Sequence, residues 1–271
     1  MNGIIEIGPL RLLAAYIFLV ILFILVKSLG IKKEREIFFS ALRMTVQLIA
    51  VGYILLYLFD YTHPAIALSI LALMIFFAVR TIYSRVKTEI NKKLRQVIII
   101  AMVAGNSATI FYFLILVINI QPWYDARYFI PIAGMIIGNS MTGISLGVER
   151  LSGEIKAKRD LIEGALMLGA TPRDATMHIV KDTFTAAIMP TINSMIGMGI
   201  VFLPGMMTGQ ILAGLSPLIA IEYQIAIMLS ILGSVTITVY LLTRFGYRTF
   251  FNHRSQLEII LDHDLAENEK I

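Results

Sequence analysis

Six polar side chains sit in stretches of this sequence that are otherwise apolar: Gln47, Asn106, Asn139, Ser140, Gln210 and Glu222. Amides and hydroxyls both donate and accept hydrogen bonds, and a carboxylate can meet a cation. These residues are therefore candidates for lining a translocation pathway. Polar groups in hydrocarbon are costly unless they face a bundle interior or water. At a helical rise of about 1.5 Å per residue, Gln47 lies roughly 15 Å from the polar end of its run, close to midplane. Asn106 with Ser107, and Asn139 with Ser140, fall at a similar depth in theirs. Three carboxamides at one level read either as interhelical glue or as a route for solute. Glu222 is the only acidic residue in its run.

Metal and enzyme chemistry find less support. The chain has no cysteine, which excludes disulfides, thiolate metal sites and cysteine nucleophiles. His63, His178, His253 and His263 share no ligand spacing and no H-E-x-x-H occurs, so no metal site is assigned. Met195, Met198, Met206 and Met207 cluster. Thioethers suit copper(I), and the competing reading is adaptable packing filler. No spaced nucleophile–base pair and no G-x-x-x-x-G-K-[ST] phosphate loop is present, so an enzyme is not expected and any ATP hydrolysis belongs to another chain.

The elements that must position these residues are membrane spans. The sequence is 58% hydrophobic and 15% charged, with a mean hydropathy of +0.80. Soluble domains are nearer half apolar and a quarter charged. The fold class expected is all-α, a polytopic membrane protein in the cell membrane, with seven spans near 9–28, 37–59, 63–83, 97–119, 129–147, 186–204 and 217–243. All of the 23 Lys and Arg residues except Arg11, Arg43 and Arg127 fall at loops and ends sharing one face. By the positive-inside rule that face is cytoplasmic, which puts the N-terminus outside and the C-terminus inside. No basic n-region precedes the first apolar run, so it reads as an uncleaved span. The net charge of +5 follows from this asymmetry and is no sign of nucleic-acid binding.

The expected transmembrane domain covers 1–245, followed by a short acidic tail, 246–271, read as a solvated, fraying helix. Trp123, Tyr124 and Tyr128 are expected as interfacial anchors. Gly134-x-x-x-Gly138 and Gly143-x-x-x-Gly147 offer small faces for close helix packing. Pro190, Gly197, Gly199, Pro204 and Gly205 break the pattern around the sixth span and are hinge candidates, with 205–215 expected to bend back.

Between spans five and six, residues 148–185 predict a cytoplasmic helix–turn–helix. Ser152 can cap the first helix, and Leu151, Ile155, Ile162 and Leu166 form an apolar stripe. Gly169 permits a left-handed exit. Thr171 caps the next helix, with Pro172 at its first position and Asp174 completing the pair. The hairpin reads either as an amphipathic element lying on the membrane face or as a handle for a partner.

Glu163-Gly164-Ala165-x-x-x-Gly169-Ala170-Thr171-Pro172 resembles the E-A-A-x-x-x-G loop of ABC-transporter permeases, with Gly164 in place of an alanine. Lys181-Asp182 stand where importers carry Leu-Pro, a departure from the importer pattern. Tyr128-Phe-Ile-Pro-Ile-Ala-Gly-Met-Ile-Ile-Gly-Asn139-Ser-Met141, Leu203-Pro-Gly-Met-Met-Thr-Gly-Gln-Ile211 and Arg43-x-x-x-Gln47-Leu resemble the FetB (YbbM-like) permeases over nearly the whole chain. That resemblance implies a homodimeric membrane subunit working with a separate ABC ATPase, which holds the ATP and Mg; this chain binds no cofactor. It implies that Glu163, Ala165, Gly169, Ala170, Thr171 and Pro172 couple to the ATPase. In bacteria the family is associated with iron export, and its plant members with aluminium tolerance and nucleotide-sugar transport. A different solute, a stand-alone channel or secondary carrier, and an intramembrane enzyme stay as alternatives.

Overall fold

The computed structural model describes residues 8, 9–31, 33–61, 63–86 and 90–258. Its elements run α1 (Pro9–Ala15), α2 (Ile17–Ser28), α3 (Glu34–Asp60), α4 (Pro64–Arg85), α5 (Lys92–Tyr112), a π-helical turn (Phe113–Val117) and α6 (Ala126–Ala157). Then follow α7 (Arg159–Met167), α8 (Pro172–Gly197), α9 (Gly205–Leu212), α10 (Pro217–Gly246) and a 3-10 turn (Tyr247–Phe250). No strand forms among the described residues; Met198–Phe202 and Phe251–Leu257 make isolated bridges.

Two compact units divide the chain. The described residues before His63, with Leu212–Gly214, form one; the rest form the other. In the first, α2 packs on α3, and the Tyr16 and Thr45 hydroxyls are hydrogen-bonded. No residue of α3 is buried. In the second, α10 packs on α5, α6 and α8, while α6 also packs on α4. The buried positions of α10, including Ala220, Gln224, Ile227, Ile231, Ser234, Thr238 and Leu242, recur every three to four residues, which is the face one helix presents to a core.

Glycine lets these helices approach closely. A Cβ on Gly143 would stand 2.9 Å from Val235 Cγ1, one on Gly147 2.8 Å from Leu242 Cδ2, and one on Gly105 2.5 Å from Thr238 Cγ2. The small face of Gly143-x-x-x-Gly147 is thus spent on α10. Gly134 faces Met74 at 3.4 Å, whereas Gly138 meets nothing within 4 Å.

Three expectations need correction. Among the described residues six helical stretches are long and apolar enough, by length and composition, to cross a membrane: Leu10–Ser28, Glu34–Asp60, Pro64–Arg85, Lys92–Val117, Ala126–Ala157 and Pro217–Phe250. The expected span at 186–204 lies on α8, which starts at Pro172 and ends at Gly197. Arg173, Asp174, Lys181 and Asp182 dilute its hydropathy, so α8 joins the hairpin and the bundle in one rod. Ser152 caps nothing. It is buried inside α6, which runs on to Ala157, because burying Leu151 and Ile155 outweighs a cap at that point. The start of the tail is packed rather than solvated: Tyr247, Phe250 and Phe251 join the core. Residues 259–271, with most of the acidic tail, lie outside the described residues.

Candidate functional site

The turn between α7 and α8 is built by local chemistry. Gly169 has φ +91°, a conformation that costs an L side chain strain and glycine little. The Gly169 amide donates to Leu166 O at 3.0 Å and the Ala170 amide to Ala165 O at 3.0 Å, the paired bonds of a Schellman ending. Thr171 Oγ1 accepts from the Asp174 amide at 3.2 Å and donates to Asp174 Oδ2 at 2.6 Å. Pro172 fills the first position of α8. Gly169, Thr171 and Pro172 therefore act as the residue types predict.

Charge holds the base of this hairpin. Glu154 is bridged to Arg150 at 2.9 Å and to Lys158 at 2.7 Å, where α6 gives way to α7. Glu163 pairs with Arg159 at 2.8 Å one turn earlier. Ile162 is buried, while Leu161, Met167 and Leu168 are exposed, Leu168 to 91%. Large apolar side chains thus project from the tip of a short turn.

Inside the second unit a buried polar chain links three helices. Ser234 Oγ on α10 donates to Asn106 Oδ1 on α5 at 3.1 Å. Its one proton is then used, so at 3.0 Å Ser140 Oγ on α6 is the donor to Ser234. Asn106 Nδ2 donates to Met102 O at 2.7 Å. All three side chains have no exposed surface. Asn139 faces the other way: it is exposed, and its Nδ2 donates to Met135 O at 2.8 Å. Gln47 is an exposed residue of α3 in the other unit.

Beyond α8 the backbone turns irregular. Pro190 lies inside α8, Gly197 ends it, and Gly199 takes φ +85°. The Gly199 amide donates to Phe202 O at 2.9 Å. Gly205 opens α9, so 205–215 holds a short helix and then a turn around Gly214, φ +96°. Gln210 Oε1 and Gln224 Oε1 are buried and accept no hydrogen bond among the described residues. Gln224 Nε2 lies 3.7 Å from Met198 Sδ. Glu222 is exposed and lines a cavity of 830 Å³ between α5 and α10, with Thr109, Tyr112 and Ser230 on its walls.

The profile of an uncharacterised protein family, UPF0014, matches residues 9–251. The chain belongs to the UPF0014 family. It is 36% identical over 228 residues to the UPF0014 membrane protein slr1647 of Synechocystis, covering 84% of this chain and 88% of that one. It is 34% identical over 226 residues to the Probable iron export permease protein FetB of Escherichia coli, covering 83% and 85%. It is 34% identical over 251 residues to Protein ALUMINUM SENSITIVE 3 of Arabidopsis thaliana, covering 93% and 90%. No solved structure matches. The likeness to FetB-type permeases read from the 128–141, 163–172 and 203–211 stretches is borne out. Membership makes this a membrane protein of a family with a named permease, rather than an enzyme of a familiar kind.

In this UPF0014 chain the structure joins Asn106 to Ser140 and leaves Asn139 apart. Sequence reasoning missed Ser234, which connects them, and the buried Gln224. Their signal was present: Gln224, Ser234 and Thr238 fall on one face of a largely apolar run, and polar residues sharing a face in a membrane helix point inward. Among the described residues no group of three or more His, Asp or Glu side chains is placed to hold a metal. Trp123 packs edge-on against Phe111, Tyr124 and Phe129, at centroid distances from 5.5 to 6.2 Å. It closes one end of the core in addition to any anchoring at the interface.

Proposed function

We propose that this chain is the membrane subunit of an ABC transporter that exports iron or a related metal ion, driven by ATP hydrolysis on a separate ATPase chain. Two copies pair in the cell membrane, N-terminus outside and hairpin inside, and each α7–α8 turn seats in a groove of one ATPase. The observation that carries the reading is the turn itself. It is rigidly capped on both sides by Gly169 and Thr171, yet presents Met167 and Leu168 at 85% and 91% exposure. An apolar tip on a stiff rod suits docking into another protein, since apolar area that a partner removes from water favours association. Metal export rests on the relative named an iron export permease. Because α8 runs unbroken from the turn at Pro172 into the bundle as far as Gly197, a push at the tip reaches the irregular 198–204 segment. Pro190, Gly197, Gly199, Pro204 and Gly205 are where that push bends the chain. Gln210, Glu222 and the Asn106–Ser140 pair are the polar groups assigned to the solute's path in this reading.

The double variant Met167→Asp, Leu168→Asp tests the docking directly. Both side chains are on the surface, so membrane insertion should be kept, while recovery of an ATPase with the purified chain and iron efflux from loaded cells are lost. Undiminished co-purification and efflux would sink the reading.

A further inference from the structure

Between α8 and α10, at their hairpin-side ends, lies a cavity of 470 Å³. Its walls are unlike those of the other grooves. Three cations, Arg173, Lys181 and Arg244, line it together with Tyr240 and Tyr247, and no acidic side chain does. By contrast the 660 Å³ groove between α4 and α5 has Arg80 as its one cation. None of the three is ion-paired among the described residues: the nearby acid Asp174 is held by Thr171, and the ion pairs of the hairpin engage Arg150, Lys158 and Arg159.

The cavity has two ends. Arg173, Met177, Val180, Lys181 and Phe184 recur at three- and four-residue steps along α8, so they form one stripe roughly 16 Å long. Tyr240, Thr243 and Arg244 do the same on α10, with Tyr247 opening the 3-10 turn that follows. α10 runs the opposite way along its neighbour, since Met198, past the far end of α8, meets Gln224. Arg173 and Tyr247 therefore mark the hairpin end, and Phe184 and Tyr240 the end toward the bundle. Cations gather at the hairpin end and the middle; Met177, Val180 and Phe184 make the wall apolar. α10 belongs to a stretch apolar enough to cross a membrane, and Arg244 stands in its last turn. The cationic mouth is thus where hydrocarbon gives way to water.

We infer that this cavity binds an anionic phospholipid, its phosphate among Arg173, Lys181 and Arg244 and one acyl chain along Met177, Val180 and Phe184. Cations at a membrane surface attract anionic headgroups, and the apolar wall continues in the direction an acyl chain takes. A free phosphate would use the mouth and leave the wall bare. The lipid would brace α8 against α10, and α8 is the rod that carries the hairpin, so the bound lipid sets how readily the turn moves. This inference does not depend on which protein seats at the turn.

The test uses the full chain in micelles doped with photoactivatable phosphatidylglycerol or, separately, phosphatidylcholine. Phosphatidylglycerol should label peptides within 173–185 and 240–247, with label lost roughly fivefold for each of Arg173→Gln, Lys181→Gln and Arg244→Gln. Lys92→Gln with Lys93→Gln, cations outside the cavity, should leave labelling unchanged. Val180→Trp should block the wall and lower labelling with every charge intact, which keeps the test decisive if a charge variant fails to insert. Equal labelling by phosphatidylcholine, displacement by inorganic phosphate, or cross-links from this cavity to a protein chain instead of lipid would each overturn the assignment.

Discussion

Ser234 stands between two polar neighbours and uses its single proton on one of them. Ser234→Ala leaves Asn106 Oδ1 buried without its donor and Ser140 without its acceptor. The expected cost is about 1 kcal/mol, the usual range for a buried hydrogen bond in a membrane bundle. Ser140→Ala should cost less, because Ser234 still donates to Asn106. Thermal unfolding of the two variants in one detergent checks the order, and the reverse ranking would mean that the proton assignment is wrong. Gly164 gives the opposite case. It departs from the alanine of related loops, lies inside α7, and a Cβ there meets nothing within 4 Å. Gly164→Ala should therefore raise stability by up to about 1 kcal/mol through helix propensity alone, with transport unchanged. A loss of transport would show that the missing methyl group matters to docking.

At the scale of elements, helix packing depends on glycine at a few contacts and on caps at the turn. Gly143→Leu drives a side chain into Val235, Val239 and the backbone of α8 at Ala187. Gly138→Leu, one turn or so earlier on the same helix, enters open space. The first should lower the melting temperature sharply, in line with overpacking costs of about 1–3 kcal/mol or more, while the second should leave it near the wild-type value. The turn obeys different physics. Thr171→Ala removes the acceptor for the Asp174 amide, a loss of about 1 kcal/mol of local helix stability. Because that loss is confined to the turn, amide hydrogen exchange should rise at 171–175 and not in α10. The α6–α7 junction was misread from sequence because a capping residue is only a local preference. At Ser152 the preference is overruled by Leu151 and Ile155, which are wholly buried.

For the molecule as a whole, the distribution of Lys and Arg predicts which side each end faces. The natural chain has no cysteine, so one introduced thiol reports one position. A membrane-impermeant maleimide on intact cells should label Tyr61→Cys, an exposed residue in the turn between α3 and α4. It should leave Asp160→Cys, exposed on α7, unlabelled until the cells are opened. The opposite pattern would put the hairpin outside and remove the ATPase from the mechanism. The described segment ending at Tyr61 carries two of the six apolar stretches and buries almost nothing of their most apolar 18 residues, whereas the other four bury a third to a half of theirs.

The sequence alone determined the class of the protein, its apolar rods and the caps at the Gly169–Pro172 turn. Hydropathy is a property of each segment, and a cap is made within five or six residues, so neither needs the rest of the chain. The family was legible for the same reason, in continuous stretches such as 163–172 and 203–211. Tertiary structure alone decided which polar groups meet. Asn106 and Ser234 are 128 positions apart, and whether α5 and α10 touch depends on Gly105 admitting Thr238, a fit between surfaces that no local rule contains. The same holds for α8 as a continuous rod and for the three cations it shares with α10: residues 173, 181 and 244 become one site only when two antiparallel helices bring them side by side.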